Sequence, residues 1–387
     1  MIYREPNLDA DDKSVLQLIA EQRVLLAAQT QHNPRRWTGS IRRRTFAKAI
    51  QGSNSIEGYN ASVDEAIGIV EDEPIDERSE TWYALSGYRT ALTYIMQAAK
   101  DADFEFNKQL LKSLHFMMIG YDMTKNPGQW RPGAISVVSS RTNDRVYEAP
   151  DRDQIEPLIR ELCAYIKGDV NQDLIVKAAM VHLNMTLIHP FSDGNGRMAR
   201  AMQTLILAMD GIMHPVFSSI EEWLGIYTDD YYNILAEVAR GHWSPENQAL
   251  PWVRFCLKAH YQQATTLLRR MEEYGKLYTE VENLLATHKL HDRMAMPLFD
   301  AALGMTLTNA RYQEDAEVTG HIASRDLRTL SDLGILEPKG ETRARRYSPG
   351  KDLANARQKV RISRPMRDPY DIVRERALSQ DEPLLLF

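Results

Sequence analysis

The chain has 387 residues, of which 43% are hydrophobic and 26% are charged, and its formal net charge at pH 7 is -6. This length predicts two or three domains, and the composition is that of a globular protein. The sequence has no basic N-terminal segment followed by an apolar run, and no stretch approaches the roughly eighteen apolar residues of a membrane span. We therefore expect a cytoplasmic protein that does not enter membranes. The mild acidity gives no general attraction to nucleic acid, so such binding would need a local basic patch.

The two cysteines, Cys163 and Cys256, are far apart and lie outside any CxxC spacing. This argues against a disulfide framework and against a zinc-thiolate site. Both are predicted to be small buried side chains.

The spacing of apolar residues predicts a mainly α-helical chain. In chain order, helices are predicted at about residues 12–30, 41–50, 82–99, 107–119, 154–166, 173–188, 197–209, 230–239 and 252–271. The acidic stretch EDEPIDERSE at 71–80 contains Pro74 and is predicted to be a solvated connection. Between residues 126 and 150, β-branched residues flank Thr142, Asn143 and Asp144, which predicts a β-hairpin.

Beyond about residue 274 the pattern changes. Helices are predicted near 279–287 and 296–303, followed by another helix, Gly334, a short apolar strand, a basic turn and Tyr347. This order is typical of a winged helix. The turn region opposes one acidic residue, Glu341, with five basic ones: Lys339, Arg343, Arg345, Arg346 and Lys351. A DNA-contacting wing, a solvated turn and a protein-docking module all remain open.

The segment at 181–211 is predicted to fold as a helix, a tight loop and a second helix. Pro190 disfavours helical geometry at His189, so the imidazole should project from a helix end. Gly194 and Gly196 let the backbone turn sharply and approach a ligand closely, and Arg197 opens a helix with free N–H groups. Together these features predict an anion-binding loop.

Three charged side chains complete this loop. Arg197 and Arg200 lie three positions apart, on one face of the second helix, where their guanidinium groups can bind neighbouring phosphates. Asp193 supplies a hard oxygen ligand suited to Mg²⁺ shared with those phosphates.

Each residue of the loop also has a purely structural interpretation. His189 could be a helix C-cap, Asp193 an N-cap, and the glycines turn residues. Residues 194–199 match the dinucleotide pattern GxGxxA, but a long helical run precedes them instead of the strand which that pattern needs. His182 lies seven positions before His189 without a third ligand, so it is predicted to be a core histidine and not a zinc ligand.

Taken together, HPFSDGNGR and the following Arg200 resemble the signature HPFx(D/E)GNGRxxR of the Fic family. The resemblance implies a helical core that transfers AMP from ATP to a Ser, Thr or Tyr hydroxyl of a target protein. His189 would be the general base, Asp193 would hold Mg²⁺ on the α- and β-phosphates, and Arg197 and Arg200 would bind the β- and γ-phosphates. The anion hole would be formed by Gly194, Asn195 and Gly196.

The hairpin at 131–150 resembles the flap with which the family docks its targets. The residues expected to dock the target are Ile135, Ser136, Val137 and Val138. Tyr231 and Tyr232 resemble the family's paired aromatics beside the nucleotide, although aromatics at such positions are as often core residues. Ala239 stands where the family often has a polar residue.

Upstream, GSNSIEGY at 52–59 fits the family's inhibitory pattern (S/T)xxxE(G/N) through Ser53 and Glu57. The resemblance implies that Glu57 pairs with Arg200 and takes the place of the γ-phosphate. The alternative interpretation is an ordinary helix end with Gly58 at C′.

These observations predict four segments: an N-terminal helical region with the inhibitory motif at 1–95, a Fic catalytic core at 96–272, a winged-helix-like domain at 273–350 and a tail at 351–387. The predicted function is an autoinhibited protein adenylyltransferase that uses ATP and Mg²⁺. The alternative is a DNA-binding regulator whose Fic domain senses nucleotide. Self-modification, assembly into homo-oligomers and contact with DNA are left open as further partners.

Overall fold

The computed structural model describes residues 1–32, 35–73, 77–101, 103–138, 144–168, 173–341 and 345–381. The described chain is mainly α-helical with a few short strands, which confirms the predicted fold class.

Two compact units divide the chain. The first unit contains Met1–Asn33, Arg43–Thr265 and Met366–Phe387, and the second contains Pro34–Arg42 and Thr266–Pro365. The four segments inferred from the sequence stay predictions, because a division into compact units does not show which segments fold independently.

Eleven helices precede residue 288 in the described part of the chain, and a short π-helical turn at Ala28–His32 extends the first of them. In chain order they are α1 (Ala10–Ala27), α2 (Thr38–Ile56), α3 (Val63–Val70), α4 (Glu80–Ala98), α5 (Lys108–Ile119), α6 (Ile155–Lys167), α7 (Leu174–Ile188), α8 (Asn195–Ala208), α9 (Glu221–Ile226), α10 (Thr228–Ala239) and α11 (Leu250–Thr287).

Helices α7 and α8 pack against each other at the core of the first unit. Almost every side chain of α7 is buried, because apolar residues occupy all of its faces and not a single stripe. Helix α8 is buried to a similar degree although it carries Arg197 and Arg200. The loop between these two helices therefore emerges from the buried core of the unit.

The predicted hairpin is present in the first unit. Strands β1 (Ser136–Val138) and β2 (Arg145–Glu148) pair antiparallel, with Ser136 opposite Glu148 and a bulge between Val137 and Val138. Thr142 and Asn143, which the sequence places in the turn, lie outside the described residues.

The prediction of separate helices at 252–271 and 279–287 was wrong, since α11 is continuous from Leu250 to Thr287. Gly275 lies within it at a cost of about 1 kcal/mol relative to alanine. Tertiary packing offsets this cost: the ring of Tyr274 contacts Trp37 at 6.1 Å and Phe299 at 5.5 Å between centroids.

The second unit continues with α12 (Ala295–Ala302), α13 (Asn309–Asp315), α14 (Gly320–Asp332), β3 (Leu336–Lys339), β4 (Arg346–Pro349) and α15 (Lys351–Lys359). Strands β3 and β4 pair antiparallel, and Leu307 adds an isolated bridge to Tyr347. Helix α13 is not among the elements that the sequence predicts. Arg343 lies outside the described residues, and the winged-helix assignment stays a prediction.

In the first unit, helix α16 (Pro369–Asp381) lies in the region that the sequence assigns to a tail. Cys256 is buried as predicted, whereas Cys163 is only half-buried because it lies near the surface side of α6. No helix among the described residues combines the length and the apolar character needed to cross a bilayer.

Candidate active site

His189 ends helix α7. Its backbone adopts the left-handed conformation, with φ of 50°, and its N–H donates to the carbonyl of Met185 at 3.3 Å. The ring Nδ1 lies 3.1 Å from the carbonyl of Thr186. Because a carbonyl can only accept, Nδ1 carries the proton and Nε2 keeps a free lone pair. Burial holds the pKa of His189 below its usual value, so the imidazole is neutral at pH 7.

The loop after His189 is held by a second histidine. Phe191 stacks on the ring of His115, with centroids 3.8 Å apart. The N–H of Gly128 donates to His115 Nδ1 at 2.8 Å, so Nε2–H donates to the carbonyl of Asp193 at 3.0 Å. Burial lowers the pKa of His115 to about 4, which keeps this arrangement neutral. The side chain of Asn195 bonds both the N–H and the carbonyl of Phe191, each at 2.9 Å.

Arg131 joins the loop to the hairpin. Its Nε donates to the carbonyl of His189 at 2.9 Å, and its backbone N–H donates to that of Pro190 at 2.9 Å. The remaining guanidinium nitrogens donate to the carbonyls of Gly133 and Pro150, one before β1 and one after β2. Sequence reasoning missed both His115 and Arg131, because their partners are mostly backbone carbonyls that no motif records.

The two glycines of the loop are needed for different reasons. Gly194 has φ of +75°, and a side chain there would meet Ile119. A side chain at Gly196 would collide with the carboxylate of Glu57 and press against Arg200. The second glycine therefore permits the close approach of α2 to the start of α8.

Arg197 is 0% exposed, yet its three guanidinium nitrogens have no hydrogen-bond partner among the described residues. Its nearest neighbours are Asp193 Oδ2, 3.8 Å from Nη2, and the ring of Tyr59, 5.2 Å from the guanidinium carbon. Leaving a buried cation without hydrogen bonds is costly. This guanidinium is thus suited to an anion with several acceptor oxygens.

Arg200 is held by the end of helix α2. Its Nε donates to Ser53 Oγ at 2.7 Å, and its Nη2 donates to the carbonyl of Ser53 at 3.0 Å and to Glu57 Oε1 at 2.5 Å. The predicted pair of Glu57 with Arg200 is thus present. Gly58 has φ of +88°, and the N–H of Tyr59 donates to the carbonyl of Asn54 at 3.0 Å. The segment is therefore also an ordinary glycine-closed helix end, and that turn delivers Glu57 to Arg200.

Asp193 faces a lysine as well as Arg197. Its Oδ2 lies 2.8 Å from Lys125 Nζ, and its Oδ1 accepts from the N–H of Gly194 at 2.6 Å. Burial opposes ionisation, but the hydrogen bond from Lys125 and the charge of Arg197 outweigh it and hold the pKa of Asp193 below its usual value. The carboxylate is therefore ionised at neutral pH. No cluster of three or more metal-ligating side chains occurs in the described ranges.

The paired tyrosines differ in environment. Tyr231 is 1% exposed, and its hydroxyl lies 2.9 Å from Nε2 of His182. His182 is fully buried and also contacts Gln203, which confirms it as a core histidine. Tyr232 is 46% exposed, and its hydroxyl donates to the carbonyl of Ile56 at 3.1 Å. Tyr232 thus has the accessibility that nucleotide contact requires, while Tyr231 supports the core beneath it.

The hairpin is anchored beside the loop through Tyr147, whose hydroxyl donates to the carbonyl of Leu187 at 2.7 Å. Ile135, Ser136 and Val137 are half-buried, and Val138 is 50% exposed. The hairpin is therefore anchored to α7 at Leu187, two residues before His189, and residues 135–138 form a partly accessible, mainly apolar edge.

Comparison with known proteins supports the resemblance. Residues 105–207 match the Fic/DOC family model. The chain is 22% identical over 242 residues to a probable protein adenylyltransferase of Aquifex aeolicus strain VF5, covering 62% of this chain and 67% of the relative. It is 26% identical over 261 residues to the protein adenylyltransferase Fic of Nematostella vectensis, covering 65% of this chain and 55% of the relative. The chain thus spans little more than half of the latter protein.

Solved structures show the same fold. A Fic family protein from Desulfovibrio desulfuricans G20 superposes with a TM-score of 0.58 at 20% identity, covering 90% of this chain and 98% of that one. Fic-1 from C. elegans superposes with a TM-score of 0.53 at 20% identity, covering 68% and 73% of the two chains. The chain therefore contains a Fic/DOC family domain at residues 105–207.

Proposed function

We propose that this chain transfers AMP from ATP to a Ser, Thr or Tyr hydroxyl of a target protein and that Glu57 inhibits the transfer. One observation carries the proposal: a neutral imidazole with a free Nε2 lies at the start of the α7–α8 loop, and the first turn of α8, at the other end of that loop, carries Arg197, a buried cation whose nitrogens lack hydrogen-bond partners among the described residues. The names of the two relatives from Aquifex aeolicus and Nematostella vectensis support the same activity.

In the proposed reaction, Nε2 of His189 takes the proton of the target hydroxyl. The hydroxyl oxygen attacks the α-phosphorus, and the bond from that phosphorus to the oxygen bridging to the β-phosphate breaks, so that diphosphate leaves. A positioned general base contributes about 10²- to 10⁴-fold to such a step. The hydrogen bond from Nδ1 to Thr186 fixes the tautomer that the step needs.

The phosphates would lie at the start of α8. The free backbone N–H groups at this helix end and the guanidinium of Arg197 both attract anions. Arg200 would bind the γ-phosphate once Glu57 has left it. Because most of the catalysis of phosphoryl-type transfer comes from positioning and charge neutralisation, these groups supply the remainder of the rate enhancement.

Asp193 fits the proposed Mg²⁺. Its carboxylate is ionised and partly exposed, and one carboxylate is enough, because Mg²⁺ usually binds one or two carboxylates together with substrate phosphates and water. The metal would neutralise charge on the α- and β-phosphates. Asp193 itself would orient those phosphates relative to His189.

Inhibition follows from the contacts of Arg200. While Ser53 and Glu57 accept hydrogen bonds from Nε and Nη2, these two nitrogens are not free for the γ-phosphate, and the carboxylate of Glu57 repels that phosphate. ATP that binds in this state would be held with its α-phosphorus turned away from the incoming hydroxyl.

The hairpin is proposed to dock the target as an added strand along β1. Ile135, Ser136, Val137 and Val138 would contribute backbone groups and apolar side chains, and Arg131 would keep this edge in register with His189. A segment of a second copy of the chain could occupy the same edge, which would produce self-modification.

The test is incubation of the purified chain and cell lysate with ATP labelled on the α-phosphate, followed by mass spectrometry of modified hydroxyls. We expect AMP on Ser, Thr or Tyr side chains, and His189→Ala should lower its incorporation by at least about a hundredfold. His321→Ala, which removes an exposed histidine on α14, is the matched control and should transfer AMP normally. Normal transfer by His189→Ala would refute the proposed mechanism.

A further inference from the structure

A lysine outside the family signature lies at the same site. Lys125 closes a short 3₁₀ turn, Met123–Lys125, between α5 and the hairpin. Asp122 caps the start of the turn by accepting from the N–H of Thr124 at 3.0 Å, and Asn126 ends it in the left-handed conformation, with φ of 53°. Local structure at both ends therefore fixes where the side chain of Lys125 begins.

The ammonium of Lys125 is directed at the loop. Nζ lies 2.8 Å from Asp193 Oδ2 and 3.3 Å from the hydroxyl of Tyr59, and the side chain is 25% exposed. The carboxylate of Asp122 is more distant, with Oδ2 3.9 Å from Nζ, and its Oδ1 accepts from Thr124. The main ionic partner of Lys125 is thus the carboxylate that we assign to the metal, and part of the side chain is exposed.

Two cations share that carboxylate. Oδ2 of Asp193, which accepts from Lys125, is also the oxygen nearest to Arg197, at 3.8 Å from Nη2. Lys125 also has the more distant carboxylate of Asp122 beside it, whereas Arg197 has only this shared oxygen and no hydrogen bonds to the described residues, so the repulsion between the two cations is least offset at Arg197. An anion bound beside Asp193 would relieve this repulsion.

We infer that Lys125 is a further nucleotide-binding residue whose ammonium contacts an oxygen of the α- or β-phosphate next to Asp193. The inference rests on the proposed function. Lysine suits this role because it is a point charge with three donors on a flexible stem, so it can stay near Asp193 while it reaches a phosphate oxygen. In the structure, the same ammonium compensates the charge of Asp193.

The experiment compares nucleotide affinity by calorimetry in the presence of Mg²⁺, using the intact 387-residue chain and its Lys125→Met variant. Removing a hydrogen bond to a charged group should weaken ATP and ADP binding by between about tenfold and a hundredfold, and both by a similar factor. Adenosine, measured by competition, lacks phosphates and should bind unchanged, which also shows that the pocket is folded. Lys125→Arg keeps the charge and should retain most of the affinity.

Lys108→Met is the matched control, since it removes an exposed ammonium whose partner is Glu156 on α6. This variant should bind ATP normally.

Equal ATP affinity in Lys125→Met and the unaltered chain would overturn the inference and leave the proposed function standing. A loss confined to ATP, with ADP unaffected, would also overturn it, because the contact would then be to the γ-phosphate. If Lys125→Met fails to bind adenosine, Lys125→Gln replaces it as the neutral variant. If the unaltered chain binds neither ATP nor ADP, both the inference and the proposed function fall.

Discussion

The chemistry of this site depends on one unusual backbone position. His189 is one of the few residues other than glycine with a positive φ in the described chain, and this conformation turns the imidazole out of α7. Two hydrogen bonds hold the backbone of His189 in this strained conformation. Arg131 donates to the carbonyl of His189, and the N–H of His189 donates to the carbonyl of Met185. The backbone conformation thus directs the imidazole out of the helix, and the carbonyl of Thr186 keeps the proton of the ring on Nδ1, which leaves Nε2 as the basic nitrogen.

This environment predicts the pH dependence of transfer. Burial lowers the pKa of His189, and only the neutral imidazole can accept a proton. The rate should therefore be lost as the pH falls through a pKa below 6.5 and should be constant from about pH 7 upward. The measurement is kcat/KM for AMP transfer between about pH 5 and 9, in a variant free of inhibition. A rate that still rises between pH 8 and 9 would assign the limiting proton transfer to another group.

For single residues, the sequence predicts those site residues that lie close together in the chain, within one short motif. Asp193, Arg197 and Arg200 follow one another on a loop and a helix face, so their proximity is dictated by local geometry. His115 could not be predicted in the same way, because it meets Asp193 across 78 positions of the chain and its hydrogen-bond partners, the carbonyl of Asp193 and the N–H of Gly128, are backbone groups. Lys125 likewise reaches the loop through a tertiary contact.

Among the elements, helix α2 positions Glu57, the residue that we propose to inhibit transfer. Gly52 packs against the backbone of Glu221 and against Gly225, where any side chain would clash, so α2 lies unusually close to α9. An ion pair of Lys48 with Glu222, 2.7 Å long, adds to this contact. The position of Glu57 at the end of α2 is thus set by backbone packing, which the inhibitory pattern alone does not reveal.

The proposed inhibition predicts what removal of the Glu57 carboxylate does to AMP transfer. We expect Glu57→Gly to raise AMP transfer, including self-modification, by about tenfold or more, because Arg200 is freed from a charge-assisted hydrogen bond. The measurement is incorporation of labelled AMP under fixed ATP. Most substitutions lower activity, so a gain is a specific outcome.

The double variant Glu57→Gly with Arg200→Ala should lose this gain, since the freed guanidinium is its proposed cause. Glu65→Gly is a suitable control, because Glu65 is an exposed carboxylate that caps α3. Unchanged or lower activity in Glu57→Gly would leave the segment as a helix end only, and the role of His189 would be unaffected.

For the whole molecule, periodicity predicts most helices, since α7, α8 and α10 lie within a few residues of their expected limits. The division into units could not be read from the sequence, because the second unit unites residues 34–42 with residues 266–365 through contacts distant in the chain. The continuity of α11 was missed for a related reason: packing of Tyr274 outweighs the local weakness at Gly275.

Charge is divided unevenly between the units. The second unit holds 20 Lys and Arg residues against 14 Asp and Glu, a net charge of +6, so the rest of the chain carries -12. Arg345 and Arg346, at the end of the β3–β4 connection, are exposed. Such asymmetry is compatible with nucleic-acid binding. The alternative hypothesis is a nucleotide-sensing regulator that binds DNA. It predicts that the chain binds duplex DNA, which the transferase hypothesis does not require.

The regulator hypothesis predicts that the intact chain binds duplex DNA in low salt and that its affinity falls as salt rises from about 50 to 200 mM. Fluorescence anisotropy measures this. If Arg345 and Arg346 each neutralise a phosphate, replacing both with alanine should weaken binding and make the slope of log affinity against log salt shallower, by about 0.9 for each phosphate that is no longer neutralised. Replacing Arg361 and Arg364, which are exposed in the same unit but outside the β3–β4 connection, removes the same charge and should leave the slope nearly unchanged. Equal effects of the two pairs would show general electrostatic attraction instead of a DNA-contacting wing, and no binding by the intact chain in low salt would exclude the regulator and leave the transferase.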